Sequence, residues 1–464
     1  MILKTPAIRT TSTSGQRILR EPFPLEPFET YMLMDNQPGY PTLTRMIFEF
    51  DGVADRGLLD ETLAEALAYE PLLTSTVEQR GRRHFWVPSP TLPKLHWESS
   101  PEGTPGVLAE RTRILKSCID LTKRPGLRAL AHQDGERLTL TVNLHHSCGD
   151  AIGAVLLVEH WLSLYAARLE GREPRCLIRP DPDQVVVRGK RHIKTPRRTK
   201  LEAATSVSRD AVQWLLERPL ALAPSYDPTC PNLDRPPWAV VTLDEDISRR
   251  LIVTAKAAGV GINSLLLRDF FLAMRDWNLE HDAPERNKRI RMVQPINIRT
   301  EEDLHLPVCN KLGYAFFGRR PAEMDDPQRL LDGIHEQMGE VIKWGKSVLF
   351  FEGLRIMSKW PAALRWLMGP RFCYSTAAFS NLGPIARYFR QPQFQETGNL
   401  VAGGLRLRRV VNVSPVRPNT SMVLAATACE GRITLCLEVD PRVHRHDDAD
   451  RVLDAYVARL REGL

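Results

Sequence analysis

Two adjacent histidines and a carboxylate stand together in this chain. His145 and His146 end the run LTLTVNLHH, and Asp150 follows four residues after the second histidine. An imidazole has an ordinary pKa of about 6.5, so near neutral pH it can accept a proton from a hydroxyl or an amine. We therefore expect a general base at this position.

The pattern around the histidines changes from that of a strand to that of a helix. Residues 138–144 alternate between apolar and polar side chains, which predicts a strand with one buried face. Residues 150–170 carry apolar side chains at helical spacing, and Gly171 follows where a helix would end. His145 and His146 therefore lie in a strand-to-helix turn. Neighbours on an extended backbone point to opposite sides, so one imidazole can face a cleft while the other turns into the protein.

Asp150 has two open roles at this stage. It can orient an imidazole directly, as in a catalytic triad, or pair with a distant cation and hold the turn in shape. Cys148 offers a nucleophile, but a thiol two positions away in a tight turn seldom points at a neighbouring ring. A metal site on His145, His146 and Asp150 lacks a further ligand set such as H-E-x-x-H.

The residues His145–Asp150 resemble the HHxxxDG signature of the chloramphenicol acetyltransferase-like superfamily. Its members include condensation domains of nonribosomal peptide synthetases, bacterial wax ester synthase/diacylglycerol acyltransferases and polyketide-associated acyltransferases. Ala151 stands where the signature has glycine, which is the smallest available change. Four further segments are similar to the family and extend the resemblance over most of the chain: Pro24–Gly52, Cys118–Leu130, Gln294–Arg299 (the P-x-N-x-R segment) and Ser380–Pro384 (SNLGP).

The resemblance implies roles for the motif residues. His146, the second histidine, would be the catalytic base, and His145 would support it. Asp150 would be structural and pair with Arg299, whose planar fork suits a buried carboxylate. The resemblance also suggests a substrate-binding set: Gly149, Asn297, Ser380 and Asn381.

The implied fold class is mixed α/β (α+β). Two chloramphenicol acetyltransferase-like halves would form a V-shaped pseudo-dimer with a central tunnel and the histidine motif at its centre. We expect the first half at residues 1–180, a basic crossover linker at 181–205 and the second half at 206–464. From Arg188 to Lys200 there are seven Lys or Arg and no acidic residue, which is typical of an exposed, solvated linker. Binding of anionic lipid, a carrier protein or the phosphates of coenzyme A is the open alternative for this run.

The second half alternates helical and strand patterns. Asn263 is predicted to cap a helix that runs to Trp277. The stretch Val348–Met368 is amphipathic, and it can pack on the core, line an acyl channel or lie on a membrane; Pro361 favours the core. The remaining predicted helices are 246–258, 330–341 and 448–461, and the remaining predicted strands are 289–293, 405–411, 421–428 and 433–439.

Composition fits a globular enzyme. The chain has 464 residues, of which 43% are hydrophobic and 26% charged, and this length favours two domains.

The N-terminus shows no signal-peptide pattern and we find no uninterrupted apolar run of membrane-spanning length, so we expect a cytoplasmic protein. The eight cysteines show no C-x-x-C pair and predict reduced thiols without a metal site. The net charge of +7 favours anionic partners, but no nucleic-acid-binding module is present.

The function expected from these features is acyl transfer from a thioester to a hydroxyl or amine. The protein would be a stand-alone, monomeric acyltransferase with no bound cofactor. Its donor would be acyl-CoA or an acyl-carrier thioester, its acceptor a small molecule, and peripheral membrane contact stays open. The alternatives are a catalytically silent condensation-like docking module and, from another class, a metal-dependent hydrolase.

Overall fold

A computed structural model describes residues 21–98, 117–173, 178–190, 218–226, 236–360, 362, 365–366, 369 and 372–464. Its described strands form three sheets. The first six-stranded sheet has the order β12 (Val401–Ala402), β13 (Leu405–Val413), β2 (Leu43–Asp51), β7 (Arg137–His145), β6 (Leu127–Asp134) and β5 (Leu95–Trp97). The second has the order β10 (Leu312–Arg319), β9 (Ile290–Asn297), β11 (Ala377–Pro384), β14 (Met422–Cys429), β15 (Arg432–Val439) and β8 (Trp238–Thr242). A small sheet contains β1 (Phe23–Pro24), β4 (Arg83–Pro88) and β3 (Ser75–Arg80).

The helices pack against these sheets and divide the molecule into two lobes with separate apolar cores. Among the described residues, the α-helices before residue 200 are α1 (Pro27–Asp35), α2 (Arg56–Leu67) and α3 (Ala151–Leu169). Those that follow are α4 (Glu245–Ala257), α5 (Ile262–Glu280), α6 (Pro321–Met324), α7 (Pro327–Trp344), α8 (Leu349–Met357), α9 (Pro392–Thr397) and α10 (Asp448–Glu462).

The strand and helix that flank the histidines form as predicted. β7 pairs with β2 on one side and β6 on the other, and it ends at His145. α3 begins after Asp150, whose carboxylate caps the helix by accepting a hydrogen bond from Gly153 N at 2.8 Å. Within the described part of the chain, α3 is the one helix whose length and hydropathy alone suit a membrane crossing, but 89% of its most apolar window is buried in the first lobe.

Two strands from the second half of the sequence complete the first sheet. β13 pairs antiparallel with β2 from Arg406 to Val413, with a register shift between Leu407 and Arg409, and β12 continues the sheet at the edge. A small apolar cluster at this junction joins β13 to β14 and β15: Val411, Val413, Ala425 and Cys436. The two sheets are therefore not separated at one point in the chain, and the boundaries at 180 and 205 stay predictions.

The basic crossover is not exposed at its start. Arg188 leaves only 4% of its side chain exposed, and its guanidinium forms a bidentate ion pair with Glu29 at 2.6 and 2.8 Å. The prediction of a solvated residue is wrong here because Glu29 is itself buried on α1 and needs a cation. Lys190 is exposed as predicted, and residues 191–200, which carry the other five cations of the run, lie outside the described part of the chain.

Two predicted details of the second lobe are wrong. α5 begins at Ile262 with Gly261 as its N-cap, so Asn263 lies in the first turn, where its amide bonds to Gln294 and Asn381. β9 does not stop at 293 but continues through Pro295. On one side of β9, β11 pairs only with residues 292 and 293. Pro295 lies beyond this pairing, so the absence of its N–H removes no hydrogen bond to β11.

Candidate active site

A cavity of about 280 Å³ lies between the lobes and contains the second histidine. The first lobe contributes α1, the histidine turn and the start of α3. The second lobe contributes β9, β10, β11, α8 and the loop 414–420. The residues that line the cavity include Tyr31, Asp35, His146, Val293, Asn297, Tyr314, Phe316, Phe350, Leu354, Ala378, Ser380, Asn381, Arg417 and Val423.

His146 faces this cavity with one ring nitrogen anchored. Its Nδ1 lies 3.1 Å from Asn310 Oδ1, and its ring meets Phe28 edge-on at 6.4 Å between centroids. Burial lowers the pKa of His146, although the charge of Asp150, a hydrogen bond to the residue's own backbone and the contact with Asn310 partly oppose that shift. The imidazole is therefore neutral at physiological pH, which is the form that a general base requires.

Asp150 does not orient the imidazole directly. Its two oxygens accept hydrogen bonds from Arg299 at 2.8 and 3.0 Å, and Oδ2 also accepts one from Lys311 N at 2.9 Å. Burial raises the pKa of Asp150, but the charge and hydrogen bonds of Arg299 outweigh burial and leave this pKa below its ordinary value. Of the two roles left open by the sequence, the contacts match the structural ion pair.

His145 turns away from the cavity into the first lobe. It is fully buried, its Nδ1 accepts a hydrogen bond from Ser147 N at 3.0 Å, and burial lowers its pKa to about 3. It holds the turn by accepting a backbone hydrogen bond, so a direct chemical role is not supported by its position.

Replacement of His145 is expected to affect stability more than chemistry. His145→Ala removes the acceptor of a buried N–H and leaves a void, so we expect a loss of roughly 1 to 3 kcal/mol in unfolding free energy. Denaturant unfolding would measure this loss, and kcat of the folded fraction should change less than for His146→Ala. A stable variant with no activity would instead give His145 a direct role in the reaction.

The predicted substrate-binding residues separate into two groups. Asn297, Ser380 and Asn381 line the cavity. Gly149 is not among the described lining residues, because it packs against Val308, whose Cγ1 would lie 2.6 Å from a Cβ added at this glycine. The expectation that Gly149 contacts substrate is therefore not met, and its small size serves the packing of the turn.

Several residues in or beside the cavity were not predicted from the sequence: Tyr31 and Asp35 line it, whereas Phe28 and Asn310 contact His146. Phe28, Tyr31 and Asp35 share one face of α1, and their spacing of three and four residues is a signal of a common helix face. Asp35 forms an ion pair with Arg417. Asn310 lies outside every segment that carries the resemblance, so no motif marked it.

The geometry does not support the cysteine and metal alternatives. Cys148 is buried beside Gly126, and burial raises the pKa of its thiol well above the ordinary value, so it is not an activated nucleophile. The proposed ligands do not converge either, because His145 and His146 face opposite directions and Arg299 occupies both oxygens of Asp150.

Similar solved structures extend over nearly the whole chain, although no protein-family model and no curated protein matches it. The starter condensation domain of rhizomide synthetase RzmA, crystallised as a mutant with C8-CoA and Leu-SNAC, is 13% identical, with 95% of this chain and 93% of that chain covered and a TM-score of 0.66. The first condensation domain of the calcium-dependent antibiotic synthetase, with a substrate analogue, is 16% identical, with 94% of each chain covered and a TM-score of 0.67. The condensation domain of the Monacolin K polyketide synthase MokA is 13% identical, with 95% and 96% covered and a TM-score of 0.64.

These matches define the class of fold. The protein has the two-lobed fold of condensation domains, so the mixed α+β fold class predicted from the sequence is confirmed. An identity of 13 to 16% establishes the fold, and the reaction has to be argued from the site.

Proposed function

We propose that the protein is an acyltransferase that moves an acyl group from a thioester to a hydroxyl or amine, with His146 as general base. The observation that carries the proposal is a buried, neutral imidazole with one anchored nitrogen in a cavity between two lobes. A thioester is already activated, so transfer needs a base and a shaped, water-poor site, and no acyl-enzyme is required.

The reaction balances with His146 as the one proton carrier. The imidazole accepts the proton of the acceptor as its oxygen or nitrogen attacks the thioester carbonyl. The tetrahedral intermediate then collapses, the carbon–sulfur bond breaks, and the imidazolium returns the proton to the leaving thiolate. Ser380 is a candidate donor to the oxyanion, because its Oγ accepts from Asn412 at 3.2 Å and its own hydrogen remains to be donated.

The acyl chain is proposed to lie along an apolar row of the second sheet. Phe316, Val293, Ala378 and Val423 are register partners across β10, β9, β11 and β14, and all four line the cavity. Phe350 and Leu354 of α8 extend this apolar lining. Within the amphipathic stretch predicted at 348–368, α8 therefore lines the cavity and also packs inward, since Phe351 is 2% and Leu354 6% exposed. Residues 361, 363, 364, 367 and 368 lie outside the described part of the chain.

The donor is proposed to be acyl-CoA or a carrier-bound acyl group. C8-CoA is bound in crystal structures of the RzmA starter condensation domain, and a condensation-type fold also occurs in the four-domain synthetase AB3403. A screen of acyl-CoA and acyl-pantetheine donors against alcohols and amines, followed by thiol release and mass spectrometry of products, tests the proposal. Thiol release that requires an acceptor supports it, while the absence of an acylated product from every donor contradicts it.

Enlarging Ala378 should shorten the preferred acyl chain. Phenylalanine at this position would fill the centre of the apolar row, so Ala378→Phe should lower kcat/KM for octanoyl donors by roughly tenfold or more relative to acetyl donors. Ala378→Val should give an intermediate ratio. An unchanged chain-length profile in both variants would place the acyl chain elsewhere in the cavity.

A further inference from the structure

We propose that Asn310 is the positioning residue that fixes the tautomer of His146, and that the Asp150–Arg299 pair acts on the base through the segment 309–311. The inference rests on the proposed function, since it concerns how the base of that reaction is held. It starts from the two-way contact between Asn310 and His146.

The orientation of the Asn310 amide follows from its own hydrogen bonds. Its Nδ2 donates to the His146 carbonyl at 2.6 Å and lies 3.4 Å from the Ser147 carbonyl. The amide oxygen is therefore the atom that faces His146 Nδ1 at 3.1 Å. An amide oxygen can only accept, so Nδ1 must carry the ring proton.

This tautomer leaves Nε2 as the basic nitrogen. None of the described residues hydrogen-bonds to Nε2, and the His146 ring lines the cavity. The opposite tautomer would place two lone pairs, on Nδ1 and on Asn310 Oδ1, against each other. Asn310 thus keeps the lone pair of the base available for the acceptor.

The ion pair reaches the base through the residues on either side of Asn310. Arg299 Nη2 donates to the Cys309 carbonyl at 3.0 Å, and Asp150 Oδ2 accepts from Lys311 N at 2.9 Å. The backbone is therefore fixed immediately before and after Asn310. Neither Asp150 nor Arg299 has a hydrogen bond to His146 within the described part of the chain, so the segment 309–311 transmits their effect.

The Lys311 side chain adds a second attachment to this segment. Its buried ammonium lies 2.9 Å from Asp303 Oδ1 and donates to the Lys190 carbonyl at 2.5 Å. On the other side, Val308 N donates to Glu70 at 2.5 Å. Residues 308, 309, 310 and 311 are therefore each held by a hydrogen bond, which fixes the direction of the Asn310 amide.

Asn310→Asp separates a positioning role from a purely structural one. The carboxylate would still accept from Nδ1 but would favour the imidazolium, so the acid limb of the kcat/KM–pH profile should move to higher pH. The other charges that face His146, on Asp150 with Arg299 and on Asp35 with Arg417, are present in both proteins and do not account for a difference. If Asn310 only ties the loop, the variant loses stability without a shift of the limb, and the inference is overturned.

Asn310→Ala tests the size of the effect. The variant should lose roughly 10- to 100-fold in kcat, less than the 10²- to 10⁴-fold expected for loss of the base, because the ring can still adopt the active tautomer part of the time. Asn278→Asp is a matched control, because Asn278 is also a buried amide that accepts and donates, at 3.0 and 2.8 Å, but its partners are Ala223 and Asn287 and not His146. Its pH profile should stay that of the parent, and an equal shift in this control would overturn the inference.

A double-mutant cycle in kcat tests the transmission. Arg299→Gln should slow the wild type but have little further effect in the Asn310→Ala background, whereas equal factors in both backgrounds would contradict transmission through Asn310. The outcome is separable from the proposed function. Wild-type kinetics in Asn310→Ala together with an inactive His146→Ala would overturn the inference and leave the proposed function standing.

Discussion

His146→Ala is expected to lower kcat/KM for acyl transfer by roughly 10²- to 10⁴-fold. The substitution removes the nitrogen that accepts the proton of the acceptor. The fold should survive, because the hydrogen bond from Asn310 Nδ2 is to the backbone carbonyl of residue 146 and does not need the imidazole. Thiol release in the presence of a verified acceptor would measure the rate, and circular dichroism would check the fold.

A matched histidine controls for the loss of an imidazole elsewhere. His335 is exposed on α7 and does not line the cavity, so His335→Ala should keep the parent kinetics. If His146→Ala turned over at a rate close to that of His335→Ala, another group would have to be the base.

Breaking the Asp150–Arg299 pair is expected to give the largest loss of stability. The two side chains are only 4% and 13% exposed, so removing one partner leaves the other charge buried at a cost of roughly 3 to 5 kcal/mol. Asp150→Ala should be the more severe change, since it also removes the helix cap and the acceptor of Lys311 N. Chemical denaturation of both single variants and the double variant should give a double loss below the sum of the singles.

An exposed pair supplies the comparison for that cycle. Arg80 and Glu78 lie 2.8 Å apart but are 47% and 53% exposed, so their single substitutions should each change stability by only about 1 kcal/mol or less.

The stability that the Asp150–Arg299 pair provides should depend on pH. Because Arg299 lowers the pKa of Asp150, this stabilisation should be full above the ordinary aspartate pKa of about 3.9 and be lost as the pH falls below that value. Additive losses at Asp150 and Arg299 would mean that their contact carries no energy.

Local patterns and family motifs predicted the parts of the site that lie on regular elements. The alternation in β7 and the helical spacing of α3 placed the histidines in the turn between them. The resemblance supplied Arg299 as a partner of Asp150, although 149 residues separate them in the chain. Residue spacing could not have made that assignment, because both residues have ordinary polar neighbours in the sequence.

Contacts that depend on the packing of the lobes could not be read from the sequence. Asn310 lies 164 residues from His146 and acts through the direction of a single amide, which no periodicity records. Arg188 sits at the start of a basic run whose composition indicates solvent, but the burial of Glu29 decides its position. The cap predicted at Asn263 failed for the same reason, since tertiary partners on Gln294 and Asn381 took its side chain.

A single-turnover experiment tests most directly whether the acyl group passes from the thioester to the acceptor without an acyl-protein intermediate. Protein in excess over an isotopically labelled acyl-CoA or acyl-pantetheine would be mixed with acceptor, and the labelled acyl group would be followed by mass spectrometry on both the small molecules and the intact protein. Direct transfer with His146 as base predicts that the label passes fully to the acceptor in the wild type, that one thiol is released for each product, and that no acyl-protein forms. Label on the protein, for example at Cys148, or label that passes only to water while the acceptor stays unmodified, would contradict it.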